Sequence, residues 1–512
     1  MKKTLAWVLC LLTAFFASGC QSTVISPAQT QSTLPPPSTV HVAPAGDMLL
    51  DYTATVALYL PSVDDQKLLV HYEVLELSHD RHSAEAIVRA LISFPGNKEV
   101  RPLGNGVSLS LYGASPVEVA GGVCTVNLSA SALQLDQDDF YTVCLALAST
   151  LCELPDIHAV NILVADQAVG MDISSYLPMG CLTAHPGESL PALWEQLLSR
   201  RTPLGKSPAS VATTASAALY FPLADGSGVI PEAHALSFPG QTPQQLAQTL
   251  LTALSGGAQY TEGVCAMPDI NSMLIYPPSA SDMEGGGRLL TLQFIGDLDE
   301  RLAEAGIDPA CFIASVTQTL LTFIPSVAAV DIYVGTSPLT TVYNPHYGET
   351  QLHQGRVRRT TFTPYQMDLV TVRLADDTGL VPVRRAVSAV NASSPRSLIL
   401  LLMAGATPAE EEAGLTSPIP AGLDDSDILG VAISGDTLLL NLSPRFRGVV
   451  ERLDASAEQQ LCYAVVNTLC EEKGVRRVVF FFDGMEADKI GGALSWGGEF
   501  LYNPAMNPST AR

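Results

Sequence analysis

Three times along this 512-residue chain the same succession of cap residues and apolar spacings recurs. Such recurrence constrains architecture before any single motif does, because each copy must fold to the same supersecondary unit. Three helix starts align: Ser83-Ala84-Glu85-Ala86, Thr242-Pro243-Gln244-Gln245 and Ser394-Pro395-Arg396-Ser397. Each places a hydroxyl at the cap, two place Pro at the first helical position, and Thr242 with Gln245 makes a capping box. Counted from the cap, Ile87/Leu246/Leu398, Val88/Ala247/Ile399, Leu91/Leu250/Leu402 and Ile92/Leu251/Met403 coincide and form one buried helical stripe.

Downstream, each copy carries a strand with a polar amide near its end: Asn127, Gln293 and Asn441, which lie 44, 51 and 47 residues beyond the cap. A second helix follows, ending near Thr150-Leu151-Cys152, Thr319-Leu320-Leu321 and Thr468-Leu469-Cys470, and then an apolar strand (Val160–Val164, Val330–Val334, Val478–Phe482). Strand patterns at Val56–Leu60, Ala218–Phe221 and Leu369–Leu374 precede the caps. The pattern predicts an α+β fold of three tandem modules in the order β-β-α-β-β-α-β, with a short second strand and two amphipathic helices covering one face of a mixed sheet. The modules are expected over 51–173, 216–340 and 367–505, joined by linkers at 174–215 and 341–366, with a short helix over Leu190–Leu198. At 47% apolar residues the chain can bury cores of this number and size.

The N-terminus carries an address. Lys2 and Lys3 precede an apolar run from Leu5 to Phe16, the charged and apolar regions of a secretory signal and too short to span a bilayer. Ala17-Ser18-Gly19-Cys20 resembles a bacterial lipobox, with Ala17 in place of the usual Leu. Residues 1–19 are therefore read as a lipoprotein signal peptide and Cys20 as the lipidated first residue of the mature chain. Residues 20–50, rich in Ser, Thr and Pro around Pro35-Pro36-Pro37, read as a solvated tether. The expected location is the extracytoplasmic face of a bacterial cell membrane, held by acyl chains. Lys+Arg 27 against Asp+Glu 51 leaves −24, which repels anionic lipid and nucleic acid, so no nucleic-acid partner is expected.

Candidate chemistry is sparse. Of ten cysteines, Cys10 leaves with the signal and Cys20 is spent on lipid; Cys144/Cys152 and Cys462/Cys470 are each eight apart on helical segments, too far for a bridge within the pair. His79-x-x-His82, with His71 nearby, is the nearest approach to a metal-ligand spacing, but it sits in a polar stretch before a helix cap and reads as solvated surface. Gly205-Lys206-Ser207 lacks the upstream glycine of a phosphate loop, and Gly285-Gly286-Gly287 reads as a hairpin tip. The acidic clusters Asp136/Asp138/Asp139, Glu410/Glu411/Glu412 and Asp424/Asp425/Asp427 read as helix starts and solvated loops. Phe480-Phe481-Phe482 reads as a strand buried on both faces, and Asn127 and Asn441 as turn-satisfying amides. No catalytic, cofactor-binding or metal residues are assigned, and the chain is read as a non-enzyme.

In the third copy, Leu380-Val381-Pro382-Val383-Arg384, Leu401-Leu402-Met403-Ala404-Gly405-Ala406-Thr407, Gly414-Leu415-Thr416-Ser417-Pro418-Ile419-Pro420 and the Gly430–Ser443 strand pair stand in order. Together they resemble the GerMN domain of GerM-like sporulation and germination lipoproteins over about residues 366–492, with Ala406 where the family usually has Pro. The first copy matches by pattern and by Asn127. The second is divergent, carrying Gln293 and lacking the Leu-Thr-Ser-Pro-Ile-Pro segment. The resemblance implies a membrane-anchored, non-enzymatic assembly scaffold in the cell envelope, partnered by envelope proteins or by itself, in sporulation or germination. A peptidoglycan-binding module is the alternative, and a hydrolase with an unrecognised site the remote one.

Overall fold

The second helix of each repeat organises the rest. In the computed structural model, which describes residues 41–507 except 50, 80, 171–176, 186, 202, 204, 285, 390, 391, 393, 487 and 488, the chain opens with β1 (Met48–Leu49). The first repeat follows as the hairpin β2 (Asp51–Pro61) and β3 (Leu68–Ser78), α1 (Ala84–Ser93), β4 (Val117–Ala120), β5 (Val123–Leu128), α2 (Gln137–Leu151), β6 (Ala159–Val164) and the short β7 (Gln167–Ala168). Helix α3 (Leu190–Leu198) stands where the intervening pattern placed it. The second repeat is β8 (Thr213–Pro222), β9 (Val229–Phe238), α4 (Pro243–Ser255), β10 (Ser279–Asp282), β11 (Arg288–Phe294), α5 (Leu298–Glu304), α6 (Pro309–Phe323), β12 (Val327–Val334) and β13 (Ser337–Pro338). A connecting hairpin, β14 (Thr341–Asn344) and β15 (Gly348–Gln351), and β16 (Arg356–Val357) lead to the third: β17 (Met367–Ala375), β18 (Leu380–Ser388), α7 (Pro395–Ala404), α8 (Pro408–Glu412), β19 (Ile428–Ser434), β20 (Thr437–Leu442), α9 (Pro444–Val450), α10 (Ala455–Lys473), β21 (Arg477–Phe482) and β22 (Glu499–Leu501).

The pairing is the same in all three repeats. β4, β10 and β19 run antiparallel to β5, β11 and β20, which run parallel to β6, β12 and β21. The first two strands of each repeat form a separate two-stranded sheet, and its second strand is full length, not short. The second helix lies between this hairpin and the mixed sheet: α2 packs on β2 and β6, α6 on β8 and β12, α10 on β17 and β21. In the first two repeats it is therefore buried nearly all round, every residue of α6 after Pro309 being buried, while α10 keeps exposed residues at both ends.

The aligned threonines explain how the hairpin sits on that helix. Thr150, Thr319 and Thr468 Oγ1 accept from the backbone N–H of Tyr59, Tyr220 and Arg373 at 2.9, 3.0 and 3.1 Å. A buried N–H facing a helix needs such an acceptor. The amides behave alike at the other end of the fold. Asn127 exchanges hydrogen bonds with Asp166, Gln293 donates to the Gly335 carbonyl and Asn441 accepts from Gly484 N, each holding the turn after the parallel strand. One cap departs from the pattern: Thr242 and Ser394 cap through their hydroxyls, whereas Ser83 sits in the helical region without a cap bond and Ala84 N donates to His82 Nδ1 at 3.1 Å.

The start of the described chain is tied to its last repeat. Residues 43–49, which composition assigns to the tether, lie along β19: β1 pairs with it in parallel, Asn441 donates to the Pro44 carbonyl at 2.9 Å, and Asp47 meets Arg396 at 2.6 Å. Gly430 makes this approach feasible, since a Cβ there would lie 2.6 Å from the Pro44 carbonyl oxygen. The stretches between repeats are also packed. Cys181 bridges to Ser216, and Leu223, Ile230 and Met367 share a core across the second and third repeats. From Ala43 onward the chain is one compact unit. The aromatic strand is core on both faces, with Phe480 and Phe482 under α10 and Phe481 against Ala432 and Leu439.

The acidic clusters do start helices: Asp136 caps α2, and Glu410 completes a capping box with Thr407 while holding Arg385 in a two-point ion pair. Burial raises the Glu410 carboxyl, but Arg385 and the Thr407 hydrogen bonds outweigh it and hold it down at about 2 against an ordinary 4.5. A depressed carboxylate stabilises the fold above its unfolded value, by about 3 kcal/mol at full strength, and loses that contribution as pH falls from about 4.5 to about 2. Arg385→Gln is expected to destabilise the protein at pH 7 and by progressively less through that window. Urea melts at several pH values test it, and a penalty independent of pH would contradict it.

Candidate functional site

Where the three repeats meet they border a half-open cavity of about 840 Å³. Its walls come from the ends of elements, where side chains and backbone are not consumed by the cores. The first repeat gives the segment after β3, the Gly121-Gly122 turn between β4 and β5, and Asp156–His158 before β6; the second gives Ile230 and the Tyr260-Thr261 loop; the third gives the start of β17, Arg384 of β18 and the C-terminal end of α10. Gly474, in the left-handed conformation, ends α10, leaving Lys473 in its last turn, where a cation complements the helix dipole.

The polar groups of the first repeat are ordered by one imidazole. His82 accepts from Ala84 N through Nδ1 and meets Asp156 at 2.7 Å through Nε2, so its proton is assigned to Nε2 and both nitrogens are engaged. That bond is the leading cause lowering the Asp156 carboxyl. His79 stacks on Tyr52 with centroids 4.2 Å apart, and burial together with the nearby Lys473 charge lowers its pKa. The histidine pair read as solvated surface is thus half-buried and lines the cavity, but the two residues do not share a ligand. His71 lies elsewhere, against Glu73 and Phe94. Among the described residues no three His, Cys, Asp or Glu side chains gather closely enough to hold a metal ion.

Across the cavity, Asp368 accepts from Gly121 N at 3.1 Å and burial raises its carboxyl; Glu472 accepts from Thr371 N at 2.7 Å and burial raises it too. Burial pulls Lys473 down to about 8 against the opposing pull of Glu472 and Asp156. Nucleophilic chemistry finds little to work with. Burial pushes up the thiols of all eight described cysteines, which suits packing and disfavours the reactive thiolate. Gly205-Lys206-Ser207 forms a turn into a short 3₁₀ segment, and Gly286 and Gly287 lie in the β10–β11 turn with positive φ. Cys20, the signal and the part of the tether before residue 41 fall outside the described residues, as does Gly285.

Sequence reasoning passed over Arg81, His158 and Lys473, and met Arg384 only as the end of a family motif. Their only common signal is three-dimensional, since they come from two repeats brought together by packing. The Gly121-Gly122 dipeptide was legible as a turn, though not as the piece that fits between two other repeats.

A chain of three hairpin, helix and mixed-sheet units closed around a shared polar junction is a tandem-repeat α+β protein. Residues 57–170 and 371–488, within the first and third repeats, match the family model described as Germane: Sporulation and spore germination. The second repeat has the same topology but lies between the matched segments. Solved structures similar to it include the tandem GerMN domains of the sporulation protein GerM from Bacillus subtilis (16% identity, 58% of this chain and 100% of that one, TM-score 0.23). The first GerMN domain of the same protein is also similar (19% identity, 26% and 97% coverage, TM-score 0.22). No curated protein matches the chain.

Proposed function

We propose that this protein is a lipid-anchored, extracytoplasmic lipoprotein that serves sporulation or spore germination as a non-enzymatic scaffold, contacting envelope proteins or further copies of itself. The Germane match on two of the three repeats carries the reading. The Lys2-Lys3 start, the apolar run and Ala17-Ser18-Gly19-Cys20 support the anchor. Among the described residues no helix is long and apolar enough to cross a membrane. The docking of residues 43–49 on β19 transmits any pull from the tether to the third repeat. Val70, Tyr72 and Val74 stand 42%, 70% and 65% exposed on one face of β3, the kind of apolar stripe that contact surfaces use.

Two measurements test the reading. Mass spectrometry of the mature N-terminus is expected to find diacylglyceryl-modified Cys20, and Cys20→Ala to release the protein from the membrane fraction; an unmodified thiol at Cys20 defeats the anchor. Cross-linking in native detergent is expected to trap a defined oligomer or envelope partner, and a strictly solitary monomer defeats the scaffold.

A further inference from the structure

The junction cavity holds more uncommitted positive charge than the acidic chain around it would lead one to expect. Each of its four carboxylates is engaged: Asp156 with His82, Asp368 with Gly121 N, Glu471 with Arg373 and Glu472 with Thr371 N. Arg81 and Arg384, both exposed, line the same space, and neither side chain has a hydrogen-bond or ion-pair partner among the described residues; the His158 ring, near Asp156, lines it too. Many other arginines, among them Arg89, Arg101, Arg301, Arg356, Arg373 and Arg396, are paired with carboxylates.

The cavity is also shaped in advance. The His158 ring lies directly over Gly122, where a Cβ would stand 2.9 Å from the ring, so the bare turn sets its position. The stacked Tyr52 and His79 rings give one wall an aromatic face. The volume suits a ligand of small-molecule size or the end of a longer chain. Guanidinium groups bind carboxylate and phosphate oxygens through paired N–H donors, and here one comes from the first repeat and one from the third.

We infer that the three-repeat junction is a binding site for a ligand bearing carboxylate or phosphate groups, gripped between Arg81 and Arg384. The chain-wide net charge of −24 weighs little here, because charges beyond about 10 Å are largely screened at physiological salt. The inference stands apart from the scaffold reading and holds whether or not the protein assembles.

The test is calorimetric titration of the full mature chain in detergent at physiological ionic strength. Pyrophosphate and citrate are the probes for the phosphate and carboxylate sources, and glucose is the neutral control. At least one anion is expected to bind with unit stoichiometry, and the arm that responds names the source. Arg81→Gln and Arg384→Gln are each expected to weaken binding about tenfold and the double variant further, with unchanged melting temperature; Arg301→Gln, on the surface of α5, leaves it unaltered. Absence of binding by both anions at millimolar concentration, equal binding of glucose, or full affinity in the double variant overturns the inference.

Discussion

Glu118→Ala is expected to destabilise the whole body by about 3–5 kcal/mol, because it strands a buried guanidinium. Arg359, 5% exposed, meets Glu118, 18% exposed, at 2.7 Å. The Gln366 amide, oriented by its hydrogen bonds, donates to the same carboxylate at 2.8 Å and accepts from both terminal nitrogens of Arg359. Burial opposes the Arg359 charge, but Glu118 outweighs it and raises the guanidinium pKa. The Arg359 carbonyl also accepts from Gln318 of α6 at 2.9 Å. One residue ahead of the third repeat therefore binds the first through its side chain and the second through its backbone. Removing the carboxylate leaves a desolvated charge with no countercharge, a larger penalty than the pair contributes when intact. The double variant Glu118→Leu/Arg359→Met is accordingly expected to be more stable than Glu118→Ala alone. Urea denaturation followed by circular dichroism measures both. A midpoint unchanged in Glu118→Ala would mean that the junction is solvated and the repeats are loosely coupled.

How much of this was legible beforehand depends on the distance over which each feature is encoded. The helix stripes, the threonines at the ends of the second helices and the amides near the strand ends are local and periodic, so alignment of the three copies exposes them. The second repeat kept this pattern and its topology while losing the motif segments that the family model matches. Apolar spacing is enough to choose a fold, whereas motif identity records more particular constraints. The junction is of another kind. Glu118 and Arg359 are 241 residues apart, and Gly121 and Asp368 are 247 apart, so neither pair has a periodic signature. The burial of the second helix on both sides was likewise hidden, because an all-round apolar helix and an amphipathic one share the same stripe. Net charge hid the site as well: a chain-wide acid excess says nothing of a cavity where carboxylates are engaged and arginines are not.

The Gly121-Gly122 turn carries the closest fit in this junction, and Gly121→Ala is expected to cost about 3 kcal/mol or more. A Cβ at Gly121 would lie 2.0 Å from the Pro231 carbonyl oxygen and 3.1 Å from Ile230 Cγ1 of the second repeat. The other side of the turn is held by Asp368 of the third repeat, which accepts from Gly121 N at 3.1 Å. The turn has backbone on one side and a buried carboxylate on the other, so it cannot retreat from the added methyl without breaking a contact. Positive φ, +55°, adds strain for any residue with a side chain. Gly106→Ala separates the two causes: its φ is +95° and nothing lies within 4 Å of the new Cβ, so strain alone, about 1–2 kcal/mol, is expected there. The excess at Gly121 is then the steric cost of forcing the repeats apart, and it should appear as faster proteolysis between repeats as well as a lower thermal midpoint. Equal losses at the two glycines would show that the repeats do not close on this turn, and the cavity built around it would lose its frame.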